Sequence, residues 1–175
     1  MRAHLGGAAL LAAMLLTLPS GATAQSRGVE LGIDAGAAIG LSGGTSYAVG
    51  VPIQDFRLGI FVGKAVSIEP RLALSYIGGD GDDLVAISTQ IGPVIPFSPE
   101  RTRAQGYLRP FAGLGYADLG GGSDTQVALG MGLGVKVPLA ERLAARLEGS
   151  YTHTAESFTG THALGISAGL SFFTR

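Results

Sequence analysis

Residues 127–137 read Val127-Ala128-Leu129-Gly130-Met131-Gly132-Leu133-Gly134-Val135-Lys136-Val137. Every odd position is a large apolar residue, and every even one is small or charged. A period of two belongs to a β-strand with one apolar face, because successive side chains leave a strand on opposite sides. Eleven residues are also enough for a tilted strand to cross a bilayer, which takes about 9–11.

The same alternation recurs outward from this segment in both directions. Toward the N-terminus, Leu108, Pro110, Ala112, Leu114 and Tyr116 oppose Tyr107, Arg109, Phe111, Gly113 and Gly115. Val85, Ile87, Thr89 and Ile91 share a face before Pro93 and Pro96. Those prolines are expected to end the strand, since proline has no N–H to give a ladder. Ile68, Pro70, Leu72, Leu74 and Tyr76 oppose Glu69, Arg71, Ala73 and Ser75, and Phe56, Leu58, Ile60 and Val62 oppose Arg57, Gly59, Phe61 and Gly63. The first segment sets Val29, Leu31, Ile33, Ala35, Ala37 and Ile39 against Glu30, Gly32, Asp34, Gly36 and Ala38. Toward the C-terminus, Leu143, Ala145, Leu147, Gly149 and Tyr151 oppose Ala144, Arg146, Glu148, Ser150 and Thr152. Last come Leu164, Ile166, Ala168, Leu170 and Phe172 against Gly165, Ser167, Gly169 and Ser171. Eight such segments of about ten residues, separated by Gly, Pro and Asp clusters, predict an all-β, eight-stranded antiparallel up-and-down barrel.

Two architectures have this alternation: a soluble barrel with an apolar interior, and a membrane barrel with an apolar exterior. Composition separates them. Charged residues are 14% of the chain and glycines number 29, so the polar face is too sparsely charged to clothe a soluble surface. The strand charges all share that face: Glu30, Asp34, Glu69 and Glu148 with Arg57, Arg71, Arg109, Lys136 and Arg146. Mixed signs on one enclosed face predict a paired lumen network, because an enclosed charge is costly without a partner. No Asp, Glu, Lys or Arg falls on the apolar face of the eight segments, as a lipid-facing surface requires. Tyr76, Tyr116 and Tyr151 close the apolar faces of three strands, and with Phe172 they predict an interface aromatic belt.

The N-terminus is expected to be a signal peptide over residues 1–24. A weakly basic start precedes an apolar run from Leu5 to Leu18, and Ala22-Thr23-Ala24 closes the segment, with cleavage before Gln25. The run is too short for a spanning helix. Residues 25–175 then form one barrel domain, exported to the bacterial outer membrane. There is no cysteine, so disulfides and thiolate metal sites are excluded. The formal net charge is −1, without the basic excess that nucleic-acid binding demands. With both termini in the periplasm, loops near 41–54, 78–83, 117–125 and 153–161 face outward. Turns at 64–66, 96–105 and 138–142 face inward.

The stretches Phe56-Arg57-Leu58-Gly59-Ile60-Phe61, Ser67-Ile68-Glu69-Pro70-Arg71-Leu72, Leu108-Arg109-Pro110-Phe111-Ala112-Gly113-Leu114-Gly115-Tyr116 and Gly165 to Phe173 resemble the OmpA-like outer-membrane β-barrel superfamily, over nearly the whole mature chain. The resemblance implies a terminal aromatic assembly signal, here Leu170, Phe172 and Phe173 followed by Thr174-Arg175. It also implies outer-membrane lipids, lipopolysaccharide and the barrel-assembly machinery as partners. A monomer is favoured, and no cofactor is implied.

Three chemistries compete with a structural or surface-interaction role. An eight-stranded lumen is just wide enough for side chains to fill, and nine charges with Phe61, Tyr107 and Phe111 would fill it, which argues against a small porin-like channel. Lipid A-modifying enzymes exist among such barrels, and His153, Glu156 and Ser157 share one predicted outer loop. The sequence there is His153-Thr154-Ala155, not the His-x-Ser of a deacylase. Asp80, Asp82 and Asp83 lack the ligand spacing of a calcium loop. His162 reads as a single interfacial residue at a strand end.

Overall fold

The computed structural model describes residues 28–41, 49–50, 54–62, 65–77, 84–98, 104–118, 123–155 and 161–174. The described residues form nine strands: β1 Val29–Gly40, β2 Val49–Gly50, β3 Gln54–Phe61, β4 Ser67–Ile77, β5 Leu84–Pro96, β6 Gln105–Asp118, β7 Ser123–Ala140, β8 Leu143–Ala155 and β9 Thr161–Phe173. All neighbouring pairs are antiparallel. The two-residue β2 and β3 pair with the same edge of β1, and together they make one stave. β9 returns to the other edge of β1, with Glu30 opposite Phe173 and Gly40 opposite Ala163. The sheet is therefore a closed barrel of eight staves, which leaves no edge to aggregate.

Val29 and Phe173 mark one end of the barrel, here called the terminal end. Two of its turns are tight. The Val62 N–H donates to the Val66 carbonyl at 3.0 Å, and Glu141-Arg142 alone join β7 to β8, where the register shifts between Pro138 and Ala140. The opposite, loop end carries the connections 41–48, 78–83, 119–122 and 156–160.

Burial follows the period of two. Outward positions such as Leu114, Leu129, Met131, Leu133, Leu164 and Ile166 are half or more exposed to the surroundings, an apolar girdle suited to hydrocarbon. Among the described residues no helix is long and apolar enough to cross a membrane.

Three expectations are corrected. Pro93 does not interrupt its strand, since β5 continues three residues further and ends at Pro96. Ile91 pairs with Ala112 and Ile95 with Leu108, a register that sets Pro93 opposite Pro110. Neither residue has an N–H to donate, so the two missing ladder bonds fall at one level, and pairing resumes at Ile95 and Leu108. Residues 117–118 and 123–125 are paired, Ala117 with Asp124 and Asp118 with Ser123, so the connection there is only 119–122. His153 lies in β8, not in a loop. Antiparallel pairing continues as long as a partner strand accompanies it, whatever the local polarity. The proposed signal segment, Lys64, Asp80, Asp82, Asp83, Glu156 and Ser157 lie outside the described residues.

Candidate functional site

The lumen is divided along its axis. In the half nearer the terminal end, the period of two turns Glu30, Asp34, Arg57, Glu69, Arg71, Arg109, Lys136, Arg146 and Glu148 inward, and all nine are buried. Glu148 is the hub. Its Oε2 accepts from Arg71 Nη2 at 2.8 Å, Arg146 Nη2 at 2.6 Å and Tyr107 Oη at 2.7 Å. Its Oε1 accepts from Arg109 Nη2 at 2.8 Å. Arg146 bridges to Glu69 Oε2 at 2.5 Å, and Glu69 Oε1 accepts from Arg71 Nε at 2.8 Å.

Arg57 anchors the other side. It donates to Asp34 Oδ2 at 2.6 Å and Oδ1 at 3.1 Å, to Glu30 Oε1 at 2.8 Å, and to Ser171 Oγ at 2.9 Å. Glu30 Oε2 takes Lys136 Nζ at 2.5 Å. A 3.8 Å contact from Arg57 to Glu69 joins the two sides. Tyr107 lies under Arg146, whose guanidinium carbon is 4.5 Å from the ring centre, and Arg109 covers Phe111 at 4.3 Å. These cation–π contacts fill the space between ion pairs with apolar surface.

The nine residues alone carry five positive and four negative charges. The structure supplies the tenth, Asp55, whose Oδ2 is 3.4 Å from Arg71 Nη1. Gln90 Oε1 also joins, accepting from Arg109 at 3.2 Å. Sequence reading began that strand at Phe56 and so omitted Asp55, although the unbalanced positive charge was a signal that an anion was missing.

Glycine makes the room. A Cβ on Gly132 would lie 2.8 Å from the Glu148 carboxylate, and one on Gly134 would run into the Tyr107 ring. The lumen half nearer the loop end differs. Its inward positions include Gly36, Ala38, Ser88, Gly113, Gly115, Ser150, Gly165 and Ser167, none of them fully buried. Nothing stands within 4 Å of a Cβ placed on Gly115. At the terminal end a cavity of about 550 Å³ enters between Phe61, Phe173 and Leu143 and stops at Glu30, Lys136 and Tyr107.

Of the belt residues, Tyr76, Tyr116 and Tyr151 stand near the loop end of β4, β6 and β8, and Phe172 stands at the terminal end of β9. Tyr151 and Phe172 are exposed, and Tyr116 is half-buried. Leu170 and Phe172 point outward. Phe173 turns inward and stacks on Phe61 at 6.5 Å, and the Thr174 N–H that follows donates to the Val29 carbonyl at 2.9 Å.

Residues 8–172 match the family model described as outer membrane protein beta-barrel domain. The chain belongs to that family. The outer membrane protein beta-barrel domain places it in the bacterial outer membrane, and solved structures share its fold. The Neisserial surface protein A is 18% identical with a TM-score of 0.66, over 83% of this chain and 97% of that one. Ail, the attachment invasion locus protein of Yersinia pestis, is 16% identical with a TM-score of 0.54, over 84% and 99%. The N-terminal β-barrel domain of Pseudomonas aeruginosa OprF is 12% identical with a TM-score of 0.53, over 82% and 97%. At these identities the likeness is one of fold. No curated protein sequence matches the chain.

Proposed function

We propose that the chain is a plugged barrel with a structural or surface-interaction role in the cell envelope, its girdle in outer-membrane lipid and its loop end toward lipopolysaccharide and the exterior. The observation that carries this reading is the ten-charge network. Opposite charges from β1, β3, β4, β6, β7 and β8 meet across the lumen at hydrogen-bonding distance. Such a network resists the passage of ions, because opening it would separate charges that have already lost their water. The names of two neighbours, a surface protein and an attachment protein, agree with a surface role for this fold.

In this reading the channel alternative loses its path, since paired charges from facing strands span the lumen above the terminal-end cavity that Glu30 and Lys136 line. The enzyme alternative loses its shared loop, because His153 faces outward from a strand. Tyr76, Tyr116, Tyr151 and Phe172 act as the interface belt, residues 1–24 as the export signal, and Leu170, Phe172 and Phe173 as the assembly signal. Reconstituted into a planar bilayer, monodisperse protein should give at most small and rare conductance steps. A stable porin-sized conductance would overturn the plug.

A further inference from the structure

β8 and β9 bring together two histidines that lie apart in the sequence. Their register sets His153 directly opposite His162, and Tyr151 shares their outward face two residues away. The imidazole centres are 4.7 Å apart with a 32° tilt. Tyr151 stacks on His162 at 5.8 Å, and its hydroxyl is 2.6 Å from His162 Nδ1. His153 Nδ1 is buried and, among the described residues, has no hydrogen-bond partner. An aromatic rim that only packed would have no reason to keep such a nitrogen, since buried polar atoms are almost always satisfied.

We propose that His153 and His162 are paired ligands for a borderline divalent transition metal of the Zn²⁺, Ni²⁺ or Cu²⁺ class. Residues directly opposite on antiparallel strands have Cβ atoms about 4.5–5.5 Å apart, so two imidazoles there converge on one ion. Imidazole nitrogen is a preferred donor for these metals, which it binds in the case of zinc at about 2.0–2.1 Å. Tyr151 is a positioning residue: by accepting from Nδ1–H it turns His162 Nε2 toward the ion, as carboxylates and carbonyls do for histidine ligands elsewhere. Among the described residues no three His, Cys, Asp or Glu side chains are grouped for a metal. The two imidazoles therefore leave coordination positions open to water or to anionic headgroups at the rim.

The chain has three histidines, and the third is His4, so the assignment is clean in tag-free protein. Full-length protein in zwitterionic detergent, shown to be folded by heat-modifiable migration, is titrated with Zn²⁺ by calorimetry and with Cu²⁺ by electron paramagnetic resonance. One metal per chain is expected, and the Cu²⁺ spectrum should show coupling to two nitrogens. His153→Gln and His162→Gln should each abolish saturable binding, Tyr151→Phe should weaken it by about tenfold, and His4→Gln should leave it unchanged. No saturable binding by the wild type, a one-nitrogen spectrum, or binding that survives either single histidine change would overturn the site. The wild-type spectrum decides the matter even where a variant fails to fold.

Discussion

Two halves of one lumen, built by the same eight staves, contain opposite materials. Toward the terminal end the inward positions carry ten charges, most of them fully buried and joined at 2.5–3.4 Å. Toward the loop end the described inward positions are mostly Gly, Ala, Ser and Thr, carry no charge, and are partly open to solvent. The exterior is apolar along both halves, so lipid contact does not explain the difference. Side-chain length does. Arginine and glutamate span a narrow barrel and meet, whereas serine and alanine leave the centre to water. Closure is thus a property of one layer, and the rest of the barrel is free to vary.

The contrast is tested most severely on β8, where Glu148 and Ser150 are successive inward residues on either side of the boundary. Glu148→Ala strands three arginines around an empty hub, and unfolding in urea should show a loss of about 3–5 kcal/mol. Ser150→Ala should stay within about 0.5 kcal/mol, as for a change outside any network. Equal losses would erase the distinction between the halves.

Glycines give a smaller effect of the same sign. Gly134→Ala drives a methyl into the Tyr107 ring and should cost about 1–3 kcal/mol, the usual penalty of overpacking. Gly115→Ala faces open space and should be neutral to slightly stabilising, because alanine also restricts the unfolded chain. The comparison is read from paired denaturation midpoints.

Asp55 sits at the boundary, part-exposed and with one 3.4 Å contact to Arg71. Asp55→Asn should cost less than about 1 kcal/mol, because its one ion pair is long and its buried Oδ1 has no hydrogen-bond partner among the described residues to lose. A loss as large as that of Glu148→Ala would move the edge of the plug toward the loop end.

Much of this was legible in the sequence because the period of two needs only one strand to be read. Glu69 and Arg71, or Arg146 and Glu148, are two apart and must share a face wherever their strand lies. What was not legible depends on a second strand. Pro93 looked like a strand end because its partner, Pro110, is 17 residues away and shares the missing donor. His162 looked solitary because the β8–β9 register that brings His153 to it is set by the pairing of whole strands. Asp55 was hidden by a strand start placed two residues too late, at Phe56 instead of Gln54, and only the charge imbalance pointed to it.

The central claim, a sealed layer beneath an open one, is tested most directly by thiol access in a chain without cysteine. Ser150→Cys and Ser171→Cys place one thiol in each half of the lumen. Ser171 is fully buried and accepts from Arg57. In intact bacteria, or in folded protein in liposomes, a charged thiol reagent added at the loop end should label Ser150→Cys readily. Ser171→Cys should stay protected until the barrel is denatured, when both label alike. Equal labelling of the two thiols in folded protein would contradict the plug.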